Sequence, residues 1–288
     1  MRRLLSIALV VGLVAAVDAA RPIASQETAG AGNGVSVKVA VLGDNGTGDA
    51  PQFEVGERMW LVRESFAYEL VLMLGDNMYG SQSSPADFVK KFERPYERLL
   101  AAGLRFHAVL GNHDRPSNVS YPGFNMGGQR FYTFARRHVR FVLLDSNRLD
   151  PAQLAWADDV LARASEPWKI AIFHHPLYSD GDRHGSNVEL RVVLEPLLVK
   201  HGVQVAFSGH EHIYQRIKPQ KRITYFVSGA GGKLRKGGCT PSDLNAAHYD
   251  QDQSFMLVEF LGEEMRFQTI SRTGAIVDAG TVVRRPPT

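Results

Sequence analysis

A layered α/β fold with an added antiparallel portion is predicted by three features of this 288-residue sequence. Short apolar runs alternate with segments of helical periodicity through residue 207. Five of those runs end in a polar cluster containing Asp, Asn or His. Beyond residue 223 the apolar runs are separated by turn dipeptides instead of helices, the pattern of an antiparallel tail.

Val37 to Leu42 (VKVAVL) is a short apolar run ending in Gly-Asp, which predicts a buried strand feeding a loop. Pro51 to Tyr68 carries Val55, Met59, Val62 and Phe66 at helical spacing. Leu70 to Leu74 is a second strand, again ending in Gly-Asp. Pro85 to Ala102 reads as helix with a kink at Pro95, which lacks the N–H needed there. Phe106 to Leu110 is a third strand. Phe131 to Phe134 and Val139 to Leu144 form a β pair. Pro151 to Ala164 reads as helix with proline in its first turn. Lys169 to Phe173 is a strand, Val188 to His201 a helix, and Val203 to Phe207 a strand. Ile223 to Val227 and the segments between Phe255 and Val283 are strands, joined by turns such as Leu261-Gly262 and Thr273-Gly274.

Composition narrows the class. The chain is 44% hydrophobic and 22% charged, which excludes a disordered or fibrous protein. A net charge of +3 is too small an excess to argue for nucleic acid. One cysteine, Cys239, excludes an intrachain disulfide. The only long apolar run, Leu4 to Val17, follows Arg2 and Arg3 and precedes the small residues Val17-Asp18-Ala19. It is shorter than the ~20 residues a membrane span needs, so residues 1–19 are expected to be a signal peptide. Residues 20–35, small and polar, are expected to be a flexible leader, and 36–288 a single folded domain. The expected location is secreted or periplasmic, with no stable membrane association after cleavage.

The polar clusters at the strand ends are Gly43-Asp44-Asn45-Gly46, Gly75-Asp76-Asn77-Met78-Tyr79, Gly111-Asn112-His113-Asp114, His174-His175-Pro176 and Gly209-His210-Glu211-His212. Ligand crevices in α/β sheets lie beyond the carboxyl ends of strands, so five such clusters can converge. Together they offer hard oxygen donors and imidazoles, a mixture that suits iron, zinc or manganese and not calcium or a thiolate site.

This ordered series resembles the calcineurin-like metallophosphoesterases, and more narrowly the purple acid phosphatases of the small, tartrate-resistant type. Their pattern is Asp-x-Gly, Gly-Asp-x-x-Tyr, Gly-Asn-His-Asp/Glu, Val-x-x-His and Gly-His-x-His. It covers about residues 37 to 232, with Ala171 standing where the pattern has Val. Most metallophosphoesterases carry a ligand His at the position of Gly46. Its loss here coincides with Tyr79, where the purple subclass supplies a phenolate.

The resemblance implies two mixed β-sheets packed together and flanked by helices, and a monomer acting on small phosphate ester substrates. It implies one metal held by Asp44, Asp76, Tyr79 and His212 and a second held by Asp76, Asn112, His174 and His210, with Asp76 shared. A tyrosinate favours Fe(III) at the first site, and the second suits Fe(II), Zn(II) or Mn(II). The implied activity is hydrolysis of phosphate monoesters by a metal-activated water at acid pH. His113 is expected to protonate the leaving group, with Asp114 orienting its ring. His184, in Asp182-Arg183-His184-Gly185, is expected to be a second phosphate contact. Phosphodiester or nucleotide pyrophosphate hydrolysis by the same metals, and a metal-binding scaffold without catalysis, are the alternatives.

Several other residues carry expectations. His175 should alternate to the opposite face from His174 at the strand end. Asp145 should be a buried, fold-holding carboxylate. Lys233, Arg235 and Lys236 are expected to form a solvated face, with a basic rim to the site as the alternative. Asn45-Gly-Thr47 and Asn118-Val-Ser120 match glycosylation acceptors.

Overall fold

The structure, a computed structural model, describes residues 36–82 and 84–284, so the expectations for residues 1–19 and 20–35 lie outside the described residues. The chain runs β1 (Val37–Leu42), α1 (Ala50–Val62), β2 (Leu70–Met73), α2 (Pro85–Phe88), α3 (Glu97–Ala101) and β3 (Arg105–Ala108). It continues through β4 (Tyr132–Arg136), β5 (Val139–Leu143), α4 (Pro151–Arg163), β6 (Trp168–Ile172), α5 (Val188–Lys200) and β7 (Val205–Ser208). β8 (Tyr214–Gln220), β9 (Ile223–Ser228), β10 (Asn245–Tyr249), β11 (Ser254–Leu261), β12 (Glu264–Ser271) and β13 (Ile276–Val283) complete it.

Two mixed sheets result, ordered β13-β12-β11-β1-β2-β3 and β10-β8-β9-β7-β6-β5-β4. β1, β2 and β3 pair in parallel, and β11 joins β1 antiparallel. In the second sheet β5, β6, β7 and β9 are parallel, with β4 and β8 antiparallel beside them. Side chains alternate across each strand, so every inner strand feeds two apolar layers. Val39 and Val41 of β1 meet Ile170, Ile172, Phe207 and Phe226 between the sheets. Ala40 and Leu42 face the other way, onto Val55 and Met59 of α1 and Leu99 of α3. Ala171 packs with Leu161 of α4 and Leu194 and Leu198 of α5 on the far side of the second sheet. The departure at Ala171 is therefore a small residue under two helices. The order helix, sheet, sheet, helix is the architecture expected from the resemblance.

Local signals explain the helix starts. Asp150 caps α4 by accepting from Gln153 N–H, with Pro151 in the first turn, and Asn187 caps α5 by accepting from Leu190 N–H. Two expected helices differ. The first stops at Val62, where Arg63 N–H donates to Trp60 O and Ser65 Oγ to Val62 O, although Phe66 stays buried. The second is not one kinked helix. After α2 it widens into a π turn over Val89–Glu93, breaks around Pro95 and restarts as α3.

Candidate metal centre

The parallel strands of both sheets end at one edge, and hydrogen bonds between the sheets lock that edge. Gly43 N–H donates to Ser228 O, His174 Nδ1–H to Leu74 O and His210 N–H to Asp44 Oδ2. Asp44 follows β1, Asp76 and Tyr79 follow β2, and Asn112 and His113 follow β3. His174 follows β6, and His210 and His212 follow β7. All seven candidate ligands meet here.

They form two adjoining groups. In the first, ligand atoms of Asp44, Asp76 and His212 lie within 4.8 Å of one another. Tyr79 Oη sits 3.0 Å from Asp44 Oδ1 and 3.1 Å from His212 Nε2. In the second, His174 Nε2 faces Asn112 Oδ1 at 3.0 Å, His210 Nδ1 at 3.2 Å and Asp76 Oδ1 at 3.5 Å. Asp44, Asp76 and His210 adopt left-handed backbone angles, with φ of 55°, 52° and 72°. Such strain in non-glycine residues concentrates at functional sites.

Glycines make the close approach feasible. A Cβ on Gly209 would lie 2.4 Å from Asp44 Oδ2. A Cβ on Gly46 would lie 1.8 Å from Asn77 O, so no histidine fits at that position unless the second motif moves. Tyr79 reaches the same group of donors from the other loop.

The donor set fits cations. His174 Nδ1–H donates to Leu74 O at 2.8 Å, so its Nε2 is a lone-pair atom turned toward an amide oxygen and a carboxylate. The Asn112 oxygen and the Asp76 carboxylate thus face a ring nitrogen that has no proton to give them. Asp44 and Asp76 are buried, and no Lys or Arg pairs with either among the described residues. Burial, and then the charge of Asp76, push the Asp44 carboxyl well above the carboxylate range. Burial, followed by Asp44 and Asp76, pushes the Tyr79 hydroxyl far up as well. Burial depresses His212 to about 4 and His210 to about 2, and holds His174 far below the usual imidazole value. Asp44, Tyr79 and the three imidazoles are each disfavoured in their charged form, and a cation beside them reverses that for the Asp44 carboxyl and the phenol.

The catalytic candidates sit on the open side. His113 is exposed, and its ring lies 4.7 Å from that of Tyr79. Its backbone N–H donates to Asp76 Oδ1 at 2.8 Å. The exposed His184 ring lies 4.1 Å from His210. Asp114 has a different task from the one expected. Its Oδ2 accepts from Gly111 N–H, Asn77 N–H and Asn77 Nδ2, and its Oδ1 from Asn118 Nδ2, so it fastens the second motif to the third instead of orienting the His113 ring. Burial raises its carboxyl to about 7.

Four further expectations resolve here. His175 does not turn away, because β6 ends at Ile172 and strand alternation no longer applies. Its ring lies 4.4 Å from that of His210, and its Nδ1 is 2.9 Å from Ser146 Oγ. Asp145 is buried and accepts from Arg130 and Asn147, which makes it the fold-holding carboxylate expected. Asn45 and Asn118 are both buried, so neither side chain can carry a glycan in this fold. Lys233 is not part of a solvated face: its Nζ lies 4.9 Å from the Tyr79 ring centroid.

Sequence reasoning passed over Glu211, which is fully buried between His210 and His212. Its Oε1 accepts from the backbone N–H groups of His184 at 2.5 Å and Gly185 at 2.7 Å, which ties the His184 loop to the metal-facing turn. It also passed over Ser146, whose Oγ accepts from His174 N–H and His175 N–H. The signal for Glu211 was its place inside the Gly-His-x-His motif.

Comparison with known proteins agrees with this geometry. Residues 37–214 match the calcineurin-like phosphoesterase family. The chain is 24% identical over 266 residues to tartrate-resistant acid phosphatase type 5 of Mus musculus, covering 77% of this chain and 81% of that one. It is 26% identical over 269 residues to purple acid phosphatase 17 of Arabidopsis thaliana, covering 78% of each. The fold superposes on the purple acid phosphatase PPD1 of yellow lupin (Lupinus luteus) with a TM-score of 0.72 at 19% identity, over 87% of this chain and 54% of that one.

Proposed function

We propose that this chain, which belongs to the calcineurin-like phosphoesterases, is an exported metal-dependent acid phosphatase that hydrolyses small phosphate monoesters. The observation that carries the reading is the pair of adjoining donor groups that meet at the buried Asp76, with the unprotonated Nε2 of His174 facing the Asn112 and Asp76 oxygens. Asp44, Asp76, Tyr79 and His212 would hold one ion, and Asp76, Asn112, His174 and His210 the other. When bound, the ions supply Lewis acidity, which makes water nucleophilic and neutralises charge on phosphoryl oxygens.

The chain's own residues do the rest. Water adds to phosphorus in line with the ester oxygen, the P–O ester bond breaks, and His113 delivers a proton to the departing oxygen. Its bond from N–H to Asp76 Oδ1 and its contact with the Tyr79 ring hold the imidazole over the centre. His184 contacts the phosphoryl group from the opposite side, on a loop that Glu211 keeps in place. Tyr79, a hard anionic donor when ionised, favours Fe(III) in the first group, with divalent iron, zinc or manganese in the second. Export rests on the basic head Arg2-Arg3 and the apolar run Leu4 to Val17, and gives a secreted or periplasmic protein.

Two experiments test the reading. Turnover of phenyl phosphate at acid pH by protein purified with its metals is expected to exceed that of diphenyl phosphate at least ~10-fold in kcat/KM, and equal or faster diester turnover contradicts it. The iron-loaded protein is expected to show a visible tyrosinate-to-Fe(III) band that Tyr79→Phe removes. A colourless, active protein holding only zinc or manganese overturns the ferric assignment and leaves the hydrolase reading standing.

A further inference from the structure

Two cations flank one side of the candidate centre without an acidic partner. The chain leaving β9 passes directly over the first motif, where Lys233 N–H donates to Asp44 O at 2.9 Å and Arg235 N–H to His212 O at 2.9 Å. These backbone bonds hold the segment that carries Lys233 and Arg235 against the loops of Asp44 and His212. Lys233 lies with its Nζ 4.9 Å from the centroid of the Tyr79 ring, which also neighbours the His113 and His212 imidazoles. Among the described residues neither side chain forms an ion pair or donates a hydrogen bond.

That is unlike the treatment of comparable cations elsewhere in the chain. Lys91 donates to Tyr79 O and Ser81 O, Arg216 is paired with Asp278, and Arg272 with Asp252. A half-buried ammonium ordinarily acquires a carboxylate or a set of carbonyls. Lys233 instead holds its ammonium over an aromatic face with its three donors free, and Arg235, two residues further along the same segment, leaves its planar fork free.

We propose that Lys233 and Arg235 form a second anion subsite on the Tyr79 side of the centre. It binds a negatively charged group that the substrate carries in addition to the phosphoryl being transferred. The substrates selected are therefore phosphoanhydrides, or phosphate esters that carry a further phosphate or a carboxylate. An ammonium over the ring and a guanidinium fork two residues along the same segment suit an oxyanion with several acceptor oxygens. The same two charges raise the local concentration of anions at the mouth of the site. This inference rests on the phosphatase reading for its meaning, but a binding measurement tests it without turnover.

The experiment is calorimetric titration of the metal-loaded protein with inorganic pyrophosphate and, separately, with inorganic orthophosphate. Wild type is compared with Lys233→Gln, Arg235→Gln and the double variant. Glutamine keeps a stem at each position and removes the charge. Metal content is measured for every sample, and Lys233→Arg serves as the conservative rescue. The expected result is that the double variant loses at least ~10-fold in pyrophosphate affinity, while orthophosphate affinity changes less than ~3-fold and Lys233→Arg retains most of the wild-type preference. An equal loss for both anions, or no loss for either, overturns the subsite. A wild type that turns over no phosphate ester contradicts the phosphatase reading, and the two affinities still decide whether the subsite exists.

Discussion

Asp76→Asn is expected to lower phosphatase activity at least ~100-fold and to leave the protein with fewer than two bound metal ions. Asp76 is the residue both donor groups share: it clusters with Asp44 and His212, and its Oδ1 lies 3.5 Å from His174 Nε2. Asparagine has the same shape and tolerates the left-handed backbone found there, with φ of 52°, so the fold should survive. Stability gives a second readout with a definite sign. Without metal, the charge of Asp76 works against the ionised Asp44 carboxyl. The metal-free variant should therefore unfold at a temperature no lower than the metal-free wild type. Added metal, which stabilises a native state by about 2.7 kcal/mol at a hundredfold excess over Kd, should stabilise the variant much less. Thermal unfolding with and without metal measures both effects. A variant that keeps two ions and full activity contradicts the shared role.

His113→Ala is expected to lower kcat by ~10²- to 10⁴-fold while metal content stays at the wild-type level. The imidazole is exposed and belongs to neither donor group, and the bond to Asp76 comes from the backbone, which alanine retains. The loss should depend on the leaving group. An alkyl phosphate, whose departing oxygen needs a proton, should suffer more than p-nitrophenyl phosphate, whose departing oxygen hardly does. Steady-state kinetics on the two esters checks this. An equal loss on both assigns His113 a role in binding and removes it as the proton donor.

The parts of this molecule that were legible in its sequence are those set by local pattern. Apolar runs such as VKVAVL and LVLML show strands buried on both faces, and the polar residues after them show where a site can lie. Strands β8 and β10 were not legible. Tyr214–Gln220 mixes polar and apolar residues and contains a proline, and Asn245–Tyr249 is half polar and largely exposed. Both are strands because a partner strand is already in place beside them. The split of Pro85–Ala102 was half legible: Pro95 marks a fault, but the π turn before it depends on what Lys91 and Phe92 bury.

The same division runs through the site. The seven candidate ligands follow strand ends, so sequence order and spacing sufficed to bring them forward. The groups that hold them do not. Asp114 bonds Asn77, 37 residues away, and Glu211 bonds the backbone at His184, 27 residues away. A local reading gave Asp114 its nearest neighbour, His113, as a partner and sent His175 to the wrong face, because only the folded chain shows which distant donor competes for each side chain. Lys233 is the same case: it sits in a basic stretch that looks solvated until Tyr79 is placed beneath it.

The central claim is that two cations share Asp76. Anomalous diffraction from crystals of the metal-loaded protein, collected at the absorption edges of the metals found by elemental analysis, tests it most directly. Two peaks ~3.5–4 Å apart are expected, both within bonding distance of the Asp76 carboxylate, one beside Tyr79 and His212 and the other beside His174 and His210. A single peak, or two peaks of which only one reaches Asp76, contradicts the account.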